Sequence, residues 1–336
     1  MTCSLYHGLL LALFIGLLCL GDRAEANRPP GVPDGCVTRC HRSKALQDVV
    51  HGPVKSDECL LCHVPTGKGE HAKQPGVFRM AAEGAQLCAI CHESKSTRKV
   101  VHAPVAAGDC RACHDVHQSP FRMLLKAEGS ALCLQCHKDV STHRHTHGPV
   151  AAGECLSCHD AHQSDYRALL KGAGGGLCFG CHDKKLASGV SIHGPVGKGV
   201  CSACHTPHGS DYPKILRGSF PEVFYLPYSR DNYTLCFGCH TNEIAQDKRT
   251  DTLTGFRNGD ANLHYLHVNR PDKGRSCKTC HDPHAAEQPR LIKRQIPHFG
   301  NWSIPIGFTK TDTGGTCVAG CHKPKSYDRL RTVRNP

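Results

Sequence analysis

Apolar positions are distributed very unevenly along the chain. One continuous apolar run extends from about Gly8 to Leu20 within MTCSLYHGLLLALFIGLLCLGDRAEA, and a polar stretch ending in Ala24, Glu25 and Ala26 follows it. The run is short of the roughly eighteen apolar residues a spanning helix needs. Its small-x-small ending predicts a secretory signal peptide over residues 1–26, cleaved after Ala26. The leader lacks Lys and Arg at its start, and Cys19 offers a lipid anchor as the alternative, against which the bulky Leu18 speaks. No later segment is apolar enough to span a bilayer, so the mature chain is expected to be exported and, by itself, soluble. Beyond the leader the recurrent apolar feature is a short one, an aromatic followed by a Leu-rich turn that ends in glycine. The pattern predicts short helices joined by long irregular connections, with almost no sheet.

Composition explains why the apolar clusters stay small. The chain has 336 residues but one Trp, 6% aromatic residues, 34 Gly and 21 Pro. Side chains of this kind cannot fill the cores that such a length normally builds, so something else must fill the interior. The formal net charge is +12, and losing Asp22, Arg23 and Glu25 with the leader raises it by one. Lys and Arg are scattered, with no basic run of the sort that binds nucleic acid, and nucleic acid is not expected as a partner.

Of 24 cysteines, Cys3 and Cys19 belong to the leader and the other 22 form eleven close pairs. Nine are C-x-x-C: Cys59 with Cys62, Cys88 with Cys91, Cys110 with Cys113, Cys133 with Cys136, Cys155 with Cys158, Cys178 with Cys181, Cys201 with Cys204, Cys236 with Cys239, and Cys277 with Cys280. Two are C-x-x-x-C, Cys36 with Cys40 and Cys317 with Cys321. Every pair is followed at once by histidine: His41, His63, His92, His114, His137, His159, His182, His205, His240, His281 and His322. Disulfides and zinc both use paired cysteines, yet neither requires a histidine at the next position. Covalent haem c does. Two thiols add to the haem vinyl groups, and the turn they start carries the next imidazole under the iron as proximal ligand. Nine sites are therefore the floor and eleven haems the expectation; a disulfide beside an uncommitted histidine is the alternative at the two longer pairs.

Successive sites start 23, 29, 22, 23, 22, 23 and 23 residues apart, and then 35, 41 and 40. A longer period of about 45 residues underlies this, visible on aligning CAICHESKSTRKVVHAPVAAGDCRACHDVHQSPFRMLLKAEGSAL from Cys88 with CLQCHKDVSTHRHTHGPVAAGECLSCHDAHQSDYRALLKGAGGGL from Cys133. Each unit has a haem site, H-x-P-V, a second haem site, a histidine three residues on, then the aromatic and the Leu-rich turn. This alternation resembles the doubled C-x-x-C-H multihaem cytochromes c, over nearly all of the chain from Cys36 to His322. It departs in the first pair, where His71 stands eight residues after His63, and beyond Arg217, where insertions lengthen the spacing. The implied fold is mainly α with low regular secondary structure, a multihaem cytochrome c fold organised around an elongated chain of covalent haems. The spacing divides the mature chain into a compact array of pairs at 27–217 and a looser haem array at 218–336.

A low-spin electron-transfer haem needs a second axial ligand. The repeat alignment offers eleven: His51, His102, His147, His193 and His267 from the H-x-P-V slot or its equivalent, His117, His162, His208 and His284 from the slot three after a proximal histidine, the displaced His71, and His298 for the last site. His143, His145 and His264 are left over. Residues three apart share a helical face, so His162 is expected to serve a neighbouring haem rather than the one held by His159. Met80 and Met123 share a slot with Ala168 and Lys214 and are read as packing residues, and Phe78, Phe121, Tyr166 and Tyr212 as lining haem faces. Pro149 and its counterparts are expected to fix the backbone beside the distal ligand.

Two functions fit. The first is a non-catalytic electron conduit in an extracytoplasmic respiratory pathway of anaerobic or metal type. The second is a multihaem reductase of a small nitrogen or sulfur oxyanion or of a metal, for which a pocket in 212–233 or 243–275 would be needed. No C-x-x-C-K site marks an open iron, and the histidine supply closes every iron, which favours the conduit. The ionised haem propionates offset most of the basic charge, so no acidic partner is implied. The expected partners are other redox proteins, cytochromes or a quinol dehydrogenase, in the periplasm, at the outer membrane or at the cell surface. Size and haem number are similar to the decahaem cytochromes that sit inside outer-membrane porins of metal-respiring bacteria; self-assembling filaments and diffusing periplasmic carriers are equally compatible. The intact mass of the exported protein should equal the chain without its leader plus eleven haems, and a mass showing nine would return both C-x-x-x-C pairs to disulfides.

Overall fold

The computed structural model of the chain describes residues 35–336, apart from 72, 139, 141 and 300 and apart from the side chains of 297–299. Residues 1–26, where a leader is expected, lie outside the described residues, Cys19 included. Among these residues regular structure comes in short pieces. The helices Gly84–Ala89 and Leu263–Val268 have six residues each, and most strands have two. Helices this short are not stable by themselves. Among the described residues no helix is long and apolar enough to cross a membrane. Contacts divide the chain into two units, 1–94 with 103–128, and 95–102 with 129–336. The division falls inside the array of pairs rather than at 217/218, where the spacing changes.

In the first unit the turn Cys36–Cys40 is followed by the strand Val49–Val50, which pairs antiparallel with Gln118–Ser119. That pairing hangs the backbone N–H of His51 on the carbonyl of His117 at 2.9 Å. The second unit makes the same arrangement three times. Val100–Val101 pairs with Gln163–Ser164, His145–Thr146 with Gly209–Ser210, and Ser191–Ile192 with Ala285–Ala286. The corresponding N–H groups of His102, His147 and His193 donate to the carbonyls of His162, His208 and His284 at 2.9, 3.1 and 2.9 Å.

Each H-x-P-V histidine immediately precedes a single helical turn: Gly52–Lys55, Ala103–Ala106, Gly148–Ala151 or Gly194–Gly197. Proline fits in this first turn, where its missing N–H has no helical partner to lose and its φ is already helical. The turn stops where the next residue goes left-handed, at Asp57, Gly108, Gly153 or Gly199, with φ of 58, 72, 75 and 67°. In the first repeat Asp57 N–H donates to Val54 O at 3.2 Å and Glu58 N–H to Pro53 O at 2.7 Å, and the other three repeats make the same two bonds. This is the double closure of a Schellman motif.

The C-terminal part of the second unit is built differently. Gln295–Phe299, Trp302–Lys310, Gly314–Ala319 and Lys325–Asp328 form a four-stranded antiparallel meander. This corrects the expectation of almost no sheet. Trp302, Ile304, Ile306 and Phe308 alternate with Ser303, Pro305 and Gly307, a period-two pattern of large apolar residues that favours a strand. Attention to cysteine spacing alone conceals it.

Buried hydrophobic side chains follow the same divide. Among the described residues they are Leu216, Tyr233, Ala245, Val268, Ala286, Ile296, Ile306 and Tyr327, with none before Leu216. Tyr233, Ala245 and Val268 form a cluster with Leu226, Tyr228, Phe237, Ile244 and Cys277. The repeats thus have no side-chain core of their own, while 218–336 has one. Within the meander a Cβ on Gly314 would lie 1.8 Å from the carbonyl oxygen of Tyr327. Gly314→Ala is therefore expected to cost about 1–3 kcal/mol, visible as faster proteolysis across 295–328 with cleavage in the repeats unchanged.

Candidate functional site

Most attachment turns share one hydrogen bond. In the C-x-x-C-H sites from Cys88 onward the histidine N–H returns to the carbonyl of the first cysteine, as in His92 to Cys88 at 2.9 Å, His159 to Cys155 at 3.1 Å and His240 to Cys236 at 2.9 Å. At Cys36 the extra residue widens the turn to a π-turn, and the same bond, His41 N–H to Cys36 O, survives at 2.7 Å. The last site is of another kind. Cys317 lies within the strand Gly314–Ala319, opposite Phe308 and Lys325, and His322 N–H returns to Ala319 O at 3.3 Å.

The imidazoles are oriented by backbone carbonyls. Nδ1 of His114, His159, His205 and His281 lies 2.8, 2.8, 3.0 and 3.0 Å from the carbonyls of Met123, Ala168, Lys214 and Arg290. Those four residues and their successors Leu124, Leu169, Ile215 and Leu291 all have φ between 52 and 61°. Left-handed backbone costs a non-glycine residue about 1–2 kcal/mol, and here it turns two carbonyls inward. The second accepts the N–H of Asp115, Asp160, Thr206 or Asp282 at 2.8 Å. Met123 is 73% exposed and Met80 42%. What recurs in the Met123 slot is its carbonyl, which Ala168 and Lys214 supply equally.

Nδ1 of His51, His102, His147 and His193 lies 3.0, 3.0, 2.9 and 3.0 Å from the carbonyls of Val116, Ala161, Pro207 and Pro283. A carbonyl only accepts, so Nδ1 carries the proton and Nε2 keeps the lone pair that binds a metal. Three of the four slot histidines are set by a carboxylate, and Thr206 stands in its place before His208. Asp160 Oδ1 accepts the N–H groups of His162 and Gln163 at 2.9 and 3.2 Å, Asp115 does the same for His117 and Gln118, and Asp282 accepts from His284. These backbone donors hold Asp115 and Asp160 below their usual carboxylate values.

Within each unit the imidazoles then meet in facing pairs. Ring centres are 5.8 Å apart for His41 and His71, 6.0 Å for His51 and His92, and 6.3 Å for His63 and His117 in the first unit. In the second they are 6.1 Å apart for His102 with His137, for His147 with His182, for His193 with His240 and for His205 with His284. His159 and His208 stand at 5.9 Å, and His264 and His281 at 6.4 Å. A metal–imidazole bond of about 2 Å and about 1.2 Å from ring centre to nitrogen would place two imidazoles on opposite sides of one metal about 6.4 Å apart, so each pair leaves room for one iron. An H-x-P-V histidine faces the proximal histidine two sites onward, and a slot histidine faces the one two sites back. His117 therefore faces His63 rather than His114.

The exceptions lie at the ends of the array. His71 faces the first proximal histidine, which no earlier repeat supplies. His264, left over in the repeat alignment, faces His281, which no later repeat supplies. Burial, then His281 and His267, push His264 down to about 3. Burial likewise lowers His267, with His322 among the neighbours that add to it. The signal missed in the sequence is a helix: Asn262 accepts the N–H groups of His264 and Tyr265, and the turn it caps puts His264 and His267 on one face. His114 and His162 belong to different units. The His298 side chain lies outside the described residues, and His143 and His145 stay outside the facing pairs given above.

Two further observations fit a bound group. The first cysteines of adjacent sites are neighbours, with Cys59 beside Cys36, Cys88 beside Cys110, Cys178 beside Cys201 and Cys236 beside Cys277. The Tyr233 hydroxyl, beside Cys236 and Cys277, is buried without a hydrogen-bond partner, a donor for a group the polypeptide does not supply. The segments 212–233 and 243–275, the places expected to hold any substrate pocket, contribute Tyr233, Ala245 and Val268 to the hydrophobic cluster.

A family model described as the doubled CXXCH motif matches residues 51–97, 102–142, 147–187, 193–245 and 269–299. These segments contain the nine C-x-x-C-H sites and neither C-x-x-x-C-H site. No curated protein matches the chain.

The carboxylate turn yields a direct test. Asp160→Ala leaves two backbone donors without their acceptor and should cost about 1–3 kcal/mol, measured by denaturant titration. Asp160→Asn retains the oxygen and should restore most of the loss.

Proposed function

The chain belongs to the doubled CXXCH motif family of multihaem c-type cytochromes, which bind haem c covalently and transfer electrons, and from that premise we propose that it is an electron conduit of eleven haems with two imidazoles on every iron. The observation that carries this is the set of facing imidazoles, 5.8 to 6.4 Å apart. On this reading each facing pair holds one iron, His267 serves the site of His322, and His114 and His162 take the proximal and distal roles that their repeat positions indicate. His264 thus joins the ligand set at the site of His281, and the site of His322, for which His298 was expected, falls to His267.

Haem c supplies a one-electron couple between ferric and ferrous iron. The protein's part is to hold both axial nitrogens still. Nδ1–H bonds to backbone carbonyls keep the imidazoles neutral, fix their tautomer and make Nε2 a stronger donor, which favours ferric iron and a lower potential than a methionine ligand would give. With both faces occupied, no position is left for substrate, and the side-chain cluster around Tyr233 supports the conduit over a reductase.

The leader supports export, and we place the protein in the periplasm, at the outer membrane or at the cell surface. There it would exchange electrons with cytochromes or a quinol dehydrogenase, by itself, within a porin or in an assembly of its own. Spectra of the isolated protein should be entirely low-spin. His264→Ala should convert one haem to a high-spin, five-coordinate form, and His298→Ala none. A high-spin haem in the unaltered protein would instead favour the reductase.

A further inference from the structure

The first repeat breaks the pattern of the others at one position, and the break adjoins the first attachment site. The left-handed residue that closes the H-x-P-V turn is Gly108, Gly153 or Gly199 in three repeats and Asp57 in the first. In those three a side chain would be crowded as well as strained by φ. A Cβ would lie 3.2 Å from Ala85 N, 2.6 Å from the Ser130 hydroxyl and 2.9 Å from Gly175 N. Ala85, Ser130 and Gly175 all lie in the opening turns of the helices Gly84–Ala89, Ser130–Cys133 and Gly174–Cys178, which lead into attachment sites. The closing residue therefore abuts the start of the neighbouring site's turn in each case.

The described residues begin at Gly35, and the first attachment turn runs from Cys36 to Cys40 with no side-chain cap from Gly35. The opening N–H groups of a helical turn have no acceptor within it, and a wide π-turn is the least common form to hold. Asp57 Oδ1 accepts the N–H of Val37 at 2.9 Å, across 20 residues of sequence. Aspartate tolerates left-handed backbone better than most residues but not as well as glycine, so the position forgoes the easier residue and gains an acceptor.

We infer that Asp57 is a positioning residue for the first haem. It caps the C-V-T-R-C-H turn from the neighbouring site and lets the five-residue spacing present Cys36, Cys40 and His41 together, with His41 facing His71. Its carboxylate also stands beside two attachment points, the ligand atoms of Cys36, Asp57 and Cys59 lying within 4.8 Å of one another. Once haem is attached the Cys59 sulfur is a thioether with no proton to donate, which leaves Val37 N–H to Asp57. The inference rests on the assignment of Cys36, Cys40 and His41 as a haem site.

The test is hydrogen exchange of the haem-loaded protein, read on peptides covering 35–41 and 130–137, with redox titration of the same samples. Asp57→Gly installs the residue the other repeats use, so the fold is kept. It should speed exchange at Val37 about tenfold and leave 130–137 unchanged. Asp57→Asn keeps the oxygen and should exchange at the unaltered rate. Both variants remove the charge, so both should move one haem to higher potential, whereas a purely structural residue would do so in Asp57→Gly alone. Unchanged exchange in Asp57→Gly, equal acceleration in Asp57→Asn, or potentials unmoved in both overturns the inference. A 35–41 peptide without haem in the unaltered protein removes the first haem site and the role of Asp57 with it. A haem-bearing peptide with unchanged exchange in Asp57→Gly removes the role of Asp57 alone.

Discussion

A neutral imidazole that donates Nδ1–H to a carbonyl has one lone pair left, on Nε2, and its direction is set by where that carbonyl lies. Much of the backbone geometry in this protein follows from that constraint. The consecutive left-handed residues from Met123 to Leu291, four times over, are unfavourable in isolation. They persist because they turn one carbonyl to the proximal imidazole and the next to the amide that follows it. The H-x-P-V turns use the same device with another carbonyl, taken from the residue just before a slot histidine.

The repeats are interlocked rather than merely strung together. Each two-residue strand before an H-x-P-V histidine pairs with the residues after a slot histidine one repeat later. One short ladder thereby positions two imidazoles meant for different sites, one onward and one back. Such a scheme must fail at both ends, where a neighbouring repeat is missing. His71, in the insertion of the first pair, and His264, on the capped helix Leu263–Val268, face the two proximal histidines that would otherwise lack a partner. The departures from the repeat are thus what a finite array requires.

Packing follows the same economy. Among the described residues no large apolar side chain before Leu216 is buried, as the proposed filling of the interior by covalent cofactors would allow. Where the spacing between sites grows to 35 residues and more, the intervening chain has to pack against itself. There Tyr233, Ala245 and Val268 cluster and the meander from Gln295 to Asp328 forms.

The sequence by itself determined the chemistry, because haem attachment is local. Two cysteines and a histidine within one turn are sufficient, and their spacing can be counted. It also determined which histidines recur, since the 45-residue period sorts them into slots. Partners were another matter. His51 with His92, or His205 with His284, are joined across 41 and 79 residues by strand pairs two residues long, too short to leave a hydrophobic period. His264 was hidden for a related reason: it belongs to no slot, and only the fold of 254–268 brings it to His281. The αL carbonyls and the carboxylate of Asp57 act through backbone direction and through space, neither of which residue spacing records. Tertiary structure decided these, because an imidazole can be oriented only by an acceptor that the fold carries to it.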